Sequence, residues 1–138
     1  MRLFLDANVL LDVFLHRSGR PESLRVLAAC VAPGNEGWIA WHTLSNGFYI
    51  VRRETKSVAE AQRFAAELLQ WASVATVGTA DAIAAEQLKM NDLEDALQIT
   101  AAQACQADAI ITRNLGDFAL SPIPVHSPES FLGQHPSY

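Results

Sequence analysis

The chain has 138 residues, of which half are hydrophobic and 18% are charged, and its formal net charge is −5. This length suits a single domain with a core of its own, and the composition excludes a disordered or fibrous chain. The negative balance argues against a simple DNA-binding module, which would carry a basic surface. It does not exclude an enzyme whose metal ions offset its own carboxylates and the phosphates of a substrate.

Nothing in the sequence predicts export or membrane insertion. The two cysteines, Cys30 and Cys105, lie far apart in apolar helical patterns, so we expect two buried thiols in a reduced protein. The chain reaches Asp6 before any apolar stretch of useful length, which argues against a signal peptide. No apolar run approaches the ~20 residues that span a bilayer. We therefore expect a cytoplasmic protein with no membrane partner.

Five short segments rich in apolar and β-branched residues predict strands. The last of them contains Pro122 and Pro124, which restricts it to the edge of a sheet. The predicted strands span residues 2–5, 38–41, 73–77, 109–112 and 122–125.

Apolar residues at helical spacing predict helices between these strands. Pro21 suits a first helical turn, and Ser57 with Glu60 forms a capping box, whereas Gly47 weakens the helix around it. The predicted helices span residues 7–16, 22–31, 43–53, 58–71, 79–89 and 93–106, with a last helical turn within 127–132.

The alternation of strands and helices predicts an α/β class with a mostly parallel sheet. No linker, repeat or low-complexity segment divides the chain, so we expect a single domain over residues 1–138. Residues 133–138 are expected to form a loose tail.

The candidate site is organised by residues 91–117, which begin with an acidic cluster around Asp95 and end at Asp117. The helix between them would be roughly 20 Å long, because each residue adds 1.5 Å. Its start and the end of the following strand can therefore lie at one edge of the sheet, where open α/β sheets bind ligands. Asp6, at the end of the first predicted strand, would lie at the same edge.

Carboxylates that converge from separate parts of a chain suit Mg²⁺ or Mn²⁺, because both are hard cations that prefer oxygen ligands. Asp6, Asp95 and Asp117 are the candidate catalytic and metal-binding residues. Asp92 would share a face with Asp95 if the helix includes both.

Other polar residues could assist such a site. Asn114 could supply a neutral oxygen ligand, and Arg113 could contact a phosphate through two hydrogen bonds. The main basic cluster comprises Arg52, Arg53 and Lys56. We favour a solvated helix end for this cluster over a direct RNA contact, because cations complement the helix dipole there, although both roles can hold together.

Each acid also has a structural interpretation. Asp6 could simply cap the next helix, and spacing alone favours this role and a catalytic role equally. Asp92 could cap its own helix, with Asp95 in the capping-box position. Asp117 could be a turn residue, and Asn114 could adopt a left-handed conformation after the strand. The histidines show no spacing typical of metal ligands and are assigned to surface or core: His16, His42, His126 and His135.

Three motifs resemble PIN-domain proteins and together cover nearly the whole chain. They are residues 6–12 (DANVLLD), residues 91–98 (NDLEDALQ) with 112–118 (TRNLGDF), and residues 122–132 (PIPVHSPESFL). The resemblance implies a Rossmann-like sheet in the order 3-2-1-4-5 and Mg²⁺-dependent (or Mn²⁺-dependent) ribonuclease activity. Many similar bacterial proteins are VapC-type toxins, which a cognate antitoxin holds and which often form dimers.

The resemblance also assigns roles to individual positions. Asp6, Asp95 and Asp117 match the first, third and fourth acidic positions of the family. Asn114 matches a polar residue that some members use beside the last acid, and Asn8 matches the Thr, Ser or Asn near the first.

The chain departs from the family at the second acidic position. That position usually holds a glutamate at the start of the third helix, and here the match is Asn46. The change removes one negative charge, so we expect weaker metal binding. Asp92 and Glu94 are the residues that could compensate.

We compare three candidate functions with these observations. The leading hypothesis is a metal-dependent endoribonuclease that acts on RNA, as the toxin of a type II toxin–antitoxin pair and as a homodimer. Its apolar faces around residues 10–14 and 48–51 would bind an antitoxin and a second copy. The alternative is a PIN-like RNA- or protein-binding module with weak or lost nuclease activity. A receiver or phosphatase is disfavoured by Asp6-Ala7-Asn8, which lacks the acidic pair or the second acid that those proteins need.

Overall fold

A sheet of five parallel strands forms the centre of the computed structural model, which describes residues 1–138. Its order, β3-β2-β1-β4-β5, confirms the expected topology and places the fifth strand at an edge. The strands are β1 Arg2–Leu5, β2 Glu36–Ile39, β3 Ala72–Val74, β4 Ala109–Ile111 and β5 Val125–His126.

Two strands are displaced from their predicted positions. β2 lies two residues earlier, because Trp41 already begins a helix and Gly37 pairs with Leu3. A Cβ atom at Gly37 would lie 2.6 Å from Cζ3 of Trp71, so a glycine is required where this strand packs. β5 begins after Pro124, whose carbonyl still accepts from the N–H of Ile110. Proline lacks the N–H that the ladder needs, which explains the later start.

The predicted helices are all present, with ends that shift by a few residues. Lys56, in a left-handed conformation, ends the third helix. The helices are α1 Ala7–Phe14, α2 Arg20–Cys30, α3 Trp41–Thr55, α4 Val58–Leu68, α5 Thr79–Gln87, α6 Leu93–Ala104 and α7 Pro128–Gln134, and a 3₁₀ turn spans Leu115–Phe118.

Gly47 does not interrupt α3, because its missing side chain admits the ring of Phe64 from α4. A Cβ atom at Gly47 would lie 2.5 Å from Cζ of Phe64. The glycine therefore serves close helix packing, although it lowers the intrinsic helix propensity of the segment.

The core has two parts, because successive side chains of β1 point to opposite faces of the sheet. Leu3 and Leu5 belong to the larger part, with residues of α1 to α4 and α7. Phe4 belongs to the smaller part, with Ile99 of α6 and Phe118 of the 3₁₀ turn. The sheet is thus covered on both faces, and its carboxyl edge is left for polar residues.

The carboxyl terminus is more ordered than the expected loose tail. α7 continues to Gln134, and the phenol oxygen of Tyr138 accepts from Nδ2 of Asn35 at 2.7 Å. The Tyr138 ring also lies parallel to that of Phe131, with an interplanar angle of 6°. Sequence patterns do not reveal these long-range contacts, which place Tyr138 against the core.

Both cysteines are buried and unpaired, as expected. Burial raises the pKa of the Cys30 thiol to about 12, so this thiol stays protonated at neutral pH. None of the helices combines the length and the apolar character that a membrane span requires.

Candidate active site at the carboxyl edge of the sheet

Asp6 is a buried carboxylate at the end of the central strand β1. Its backbone N–H donates to the carbonyl of Ile111, which continues the pairing of β1 with β4. Its carboxylate makes no capping bond to α1. Instead Oδ2 accepts from Oγ1 of Thr112 at 2.9 Å, and Oδ1 accepts from Nε2 of Gln98 at 3.3 Å. The interpretation of Asp6 as a simple helix cap is therefore wrong.

The start of α6 separates a capping acid from the other acids. The Asp92 carboxylate accepts from the backbone N–H of Glu94 at 2.8 Å, which confirms the interpretation of Asp92 as an N-cap. Asp95 makes no reciprocal capping bond, so it does not complete a capping box. It lies in the first turn of α6, partly buried.

The acids form one electrostatic cluster around Asp95. Burial and, to a smaller extent, four neighbouring negative charges together raise the pKa of this carboxyl to about 6. These charges belong to Asp92, Asp117, Asp6 and Glu94. None of the five acids forms an ion pair with a cationic side chain of the chain. The carboxyl edge thus carries negative charge that the protein itself does not neutralise.

Asp95 lies between two adjoining clefts. One cleft, which we call the α3 cleft because that helix forms a wall of it, is lined mainly by polar side chains. Its polar lining comprises Asp6, Asn8, Asn46, Tyr49, Arg53, Glu94, Asp95, Gln98 and Asn114. The second cleft is lined by Asp92, Asp95 and Asp117 among others. No three His, Cys, Asp or Glu side chains are arranged so that they could hold a metal ion together.

The donor set of the α3 cleft nevertheless suits a hard divalent cation. The acceptor atoms of Asp6, Asp95 and Asn114 are all oxygens. Mg²⁺ and Mn²⁺ prefer oxygen ligands. Oε1 of Gln98 is buried and has no hydrogen-bond partner. A buried oxygen without a partner is costly, and a cation is one group that could satisfy it.

Asn46 lies in the α3 cleft and contacts an acid directly. Its Nδ2 donates to Oε1 of Glu94 at 2.7 Å. The Asn46 amide therefore binds the carboxylate of Glu94. At position 46 itself, the family resemblance leads us to expect a glutamate. Glu94 is the neighbouring carboxylate that could replace the missing charge.

Asn114 is not the left-handed residue that one interpretation expected, since its φ is −114°. Its backbone N–H donates to Oγ1 of Thr112 at 3.0 Å, which links it to the residue that also binds Asp6. Asn8 lines the cleft as well, and its Oδ1 lies 3.5 Å from Nη1 of Arg17.

Arg113 has a different role from the phosphate contact that we expected. Its guanidinium donates to Asp12 at 2.7 Å, to the carbonyl of Gly19 at 2.7 Å and to Ser23 at 2.9 Å. It also pairs with Glu129 of α7. These partners occupy all three of its nitrogens, so Arg113 joins α1, α2 and α7 instead of serving a ligand.

Gln98 and Thr112 were not singled out from the sequence. Gln98 follows Asp95 by three residues in a helix, so it lies on the same face. It is also a polar residue within an apolar helical run, which is a signal that could have identified it. Thr112 directly follows β4, where its hydroxyl reaches the neighbouring strand's aspartate.

The strand order 3-2-1-4-5, with unpaired carboxylates at the carboxyl edge, defines a PIN-type α/β domain. A family model described as PIN domain matches residues 2–116, and the chain belongs to this family. No curated protein is significantly similar to the chain in sequence.

Solved structures of toxin–antitoxin systems share the fold. VapBC2 from Rickettsia felis, bound to a DNA fragment from its promoter, has a TM-score of 0.69 and 18% identity, over 92% of this chain and 98% of that chain. A toxin–antitoxin complex from Klebsiella pneumoniae has a TM-score of 0.67 and 25% identity, over 91% and 97%. The sarcin-ricin loop cleaving toxin VapC20 from Mycobacterium tuberculosis has a TM-score of 0.65 and 16% identity, over 78% and 86%.

Proposed function

We propose that the chain is a divalent-metal-dependent endoribonuclease with RNA as its substrate and Mg²⁺ or Mn²⁺ as its cofactor. Asp6, Asp95 and Asp117 are its catalytic acids. The observation that carries the proposal is the unneutralised charge around Asp95, whose pKa is raised to about 6. Membership of the PIN domain family and the likeness to VapC20, described as a sarcin-ricin loop cleaving toxin, support it.

In this proposal the chain's own residues hold and orient the site. Bound Mg²⁺ or Mn²⁺ would lower the pKa of a water molecule and stabilise negative charge on a phosphate. Thr112 and Gln98 each donate to a different oxygen of Asp6, which fixes this carboxylate while each oxygen keeps a further lone pair. Asn114 and Asp95, which line the same cleft, would supply further oxygen ligands.

We further propose that the protein is a toxin held by an antitoxin. The structurally similar proteins from Rickettsia felis and Klebsiella pneumoniae are complexes of this kind. An apolar groove between α1, α2 and α4 could take an antitoxin segment. Its apolar lining comprises Leu10, Val13, Phe14, Leu27, Phe64, Leu68 and Trp71.

The second expected apolar face is not available for a partner. Val51 is completely buried and Phe48 packs against the core, so these two apolar side chains are not free to bind a partner. A homodimer therefore needs another surface, and it stays part of the proposal. Light scattering and pull-down from the host would test both partners. A strict monomer without a captured partner would remove the toxin–antitoxin role and leave the nuclease proposal intact.

A second candidate function is a PIN-like RNA- or protein-binding module with weak or lost turnover. It is favoured by Asn46, whose amide stands where a carboxylate is usual and donates to Glu94. Such a module would bind RNA without cleaving it.

RNA cleavage assays with Mg²⁺, Mn²⁺ or EDTA distinguish the two functions. We expect cleavage by the natural protein with metal, and none by Asp6→Asn or Asp95→Asn, although both fold. Glu86→Gln is the control, because Glu86 is exposed and lines neither of the two clefts. RNA binding without cleavage would favour the binding module, and full activity in Asp6→Asn would overturn the site.

A further inference from the structure

One wall of the α3 cleft presents side chains that could bind a nucleic acid strand. Asn46, Tyr49, Ile50 and Arg53 all line the cleft. Their spacing of three and four residues places them on one face of α3. The seven residue steps from Asn46 to Arg53 cover on the order of 10 Å along the helix axis. The wall therefore begins at the acids and continues away from them.

Arg53 is the only cationic side chain that lines this cleft, whose other charged residues are Asp6, Glu94 and Asp95. It makes no hydrogen bond within the chain, and its nearest acid, Glu54, lies 4.0 Å away. Its side chain is 61% exposed. Its guanidinium donors are therefore free to bind a phosphate, in contrast to those of Arg113.

Tyr49 adds an exposed aromatic face next to this cation. It is 63% exposed, although large aromatic side chains are usually mostly buried. The guanidinium of Arg53 lies 5.8 Å from the centroid of its ring. A cation–π contact between residues four apart occurs on many helix surfaces, and alone it would imply no ligand. The position of both side chains in the wall of the acidic cleft is what gives the pair a function.

We propose that Tyr49 and Arg53 bind the RNA strand, with one base stacked on the Tyr49 ring and a neighbouring phosphate held by Arg53. This inference rests on the proposed nuclease function and assigns the two side chains that would hold the RNA strand beside the acids. A base must be unstacked from its neighbours before it can lie on an aromatic side chain, which a duplex does not allow. Arg53 also provides the attraction for phosphate that an otherwise acidic cleft lacks.

The test measures binding separately from cleavage. Binding of a labelled single-stranded oligoribonucleotide is measured by fluorescence anisotropy. All proteins in this assay carry Asp6→Asn, so that they bind the RNA without cleaving it. Tyr49→Ala should weaken binding roughly tenfold, because stacking on an aromatic side chain contributes this much or more. Tyr49→Phe should bind as before. The plot of log K against log salt has a negative slope, and Arg53→Ala should make it less steep by about 0.7. Arg53→Lys should leave the slope unchanged.

Matched controls and the cleavage assay complete the experiment. Arg52→Ala removes the same charge from the adjacent residue, and Trp41→Ala removes an exposed aromatic ring from the same helix. Neither residue lines the α3 cleft, so neither variant should change binding by more than about twofold. Unchanged melting temperatures would show that all variants fold.

The inference would be overturned if both alanine variants bound RNA as tightly as the natural residues do, or if the control variants lost as much affinity. It would also be overturned if a duplex bound as tightly as the single strand. If the natural protein cleaves RNA while Tyr49→Ala and Arg53→Ala bind normally, the inference fails and the nuclease proposal stands. If the natural protein shows no metal-dependent cleavage but the two variants lose RNA binding, the nuclease proposal fails and this surface stands. Binding of an antitoxin peptide in place of RNA at Tyr49 would also contradict the inference.

Discussion

Two buried aspartates, Asp6 and Asp12, lie six residues apart and are treated very differently by the fold. Asp6 is 5% exposed and Asp12 is 6% exposed. Asp12 receives Nε of Arg113 at 2.7 Å and the hydroxyl of Ser23 at 2.8 Å. Asp6 receives only the neutral donors Thr112 and Gln98.

The comparison separates a charge that stabilises the fold from a charge kept for a ligand. Around Asp12, the chain supplies its own cation and joins three helices through it. Around Asp6, the neighbouring charges are Asp95 and other acids, and no cation of the chain pairs with them. An acidic cluster left without a cation costs stability in the free protein. This cost is understandable if a divalent cation compensates it during function.

The largest effect should come from removing Arg113. Arg113→Ala leaves the buried Asp12 carboxylate with only the Ser23 hydroxyl, and it unlinks α7 from α1. We expect a loss of about 3–5 kcal/mol in the free energy of unfolding, which is typical when one partner of a buried pair is removed. Urea denaturation measures it, with Arg52→Ala as an exposed control. A loss below about 1 kcal/mol would show that the network is not a stabilising centre.

A smaller effect should follow from crowding the same network. A Cβ atom at Gly19 would lie 2.7 Å from both Cζ of Arg113 and Oδ2 of Asp12. Gly19→Ala should therefore cost about 1–3 kcal/mol, because the packed guanidinium has nowhere to move. Gly133→Ala is the control, since a Cβ atom there meets nothing within 4 Å. Equal stability of the two variants would contradict the close packing.

Adding a charge to the acidic cluster should destabilise the metal-free protein but strengthen its binding of metal. Asn46→Glu replaces the amide that donates to Glu94 by a second carboxylate. The metal-free protein should lose stability, while Mn²⁺ binding should tighten roughly tenfold, or about 1.4 kcal/mol, because affinity rises with ligand charge. Calorimetric titration measures this, with Ser45→Glu as an exposed neighbour. Unchanged affinity would mean that Glu94 already supplies the charge.

The smallest effect concerns the pH dependence of stability in EDTA. The pKa of Asp95 is raised from 3.8 to about 6 in the folded protein, so the folded state binds the proton more tightly than the unfolded state. Stability should then fall as pH rises between these values. Asp95→Asn should be more stable than the natural protein above pH 6, by about 1 kcal/mol after solvent screening. Thermal melts should show this gain vanish below pH 4, and a gain that persists there would exclude the assigned cause.

The motifs that resemble PIN-domain proteins predicted the sheet order, because such motifs are local in the sequence. Asp6 follows a strand and Asp95 begins a helix, so topology alone brings them to one edge. The role of Arg113 could not be predicted, because its partners Asp12 and Glu129 come from separate helices. The two-residue shift of β2 follows from the early start of α3 at Trp41, which the sequence pattern did not predict.

The most direct test of the central claim is calorimetric titration of Mn²⁺ into the natural protein, Asp6→Asn and Glu86→Gln. The unneutralised carboxylates should bind Mn²⁺ in the natural protein and in Glu86→Gln with equal affinity. Asp6→Asn should bind it at least roughly tenfold more weakly, because the site loses a buried ligand charge. Equal affinity in all three proteins, or no binding by any, would contradict the assignment of the acidic edge as a metal site.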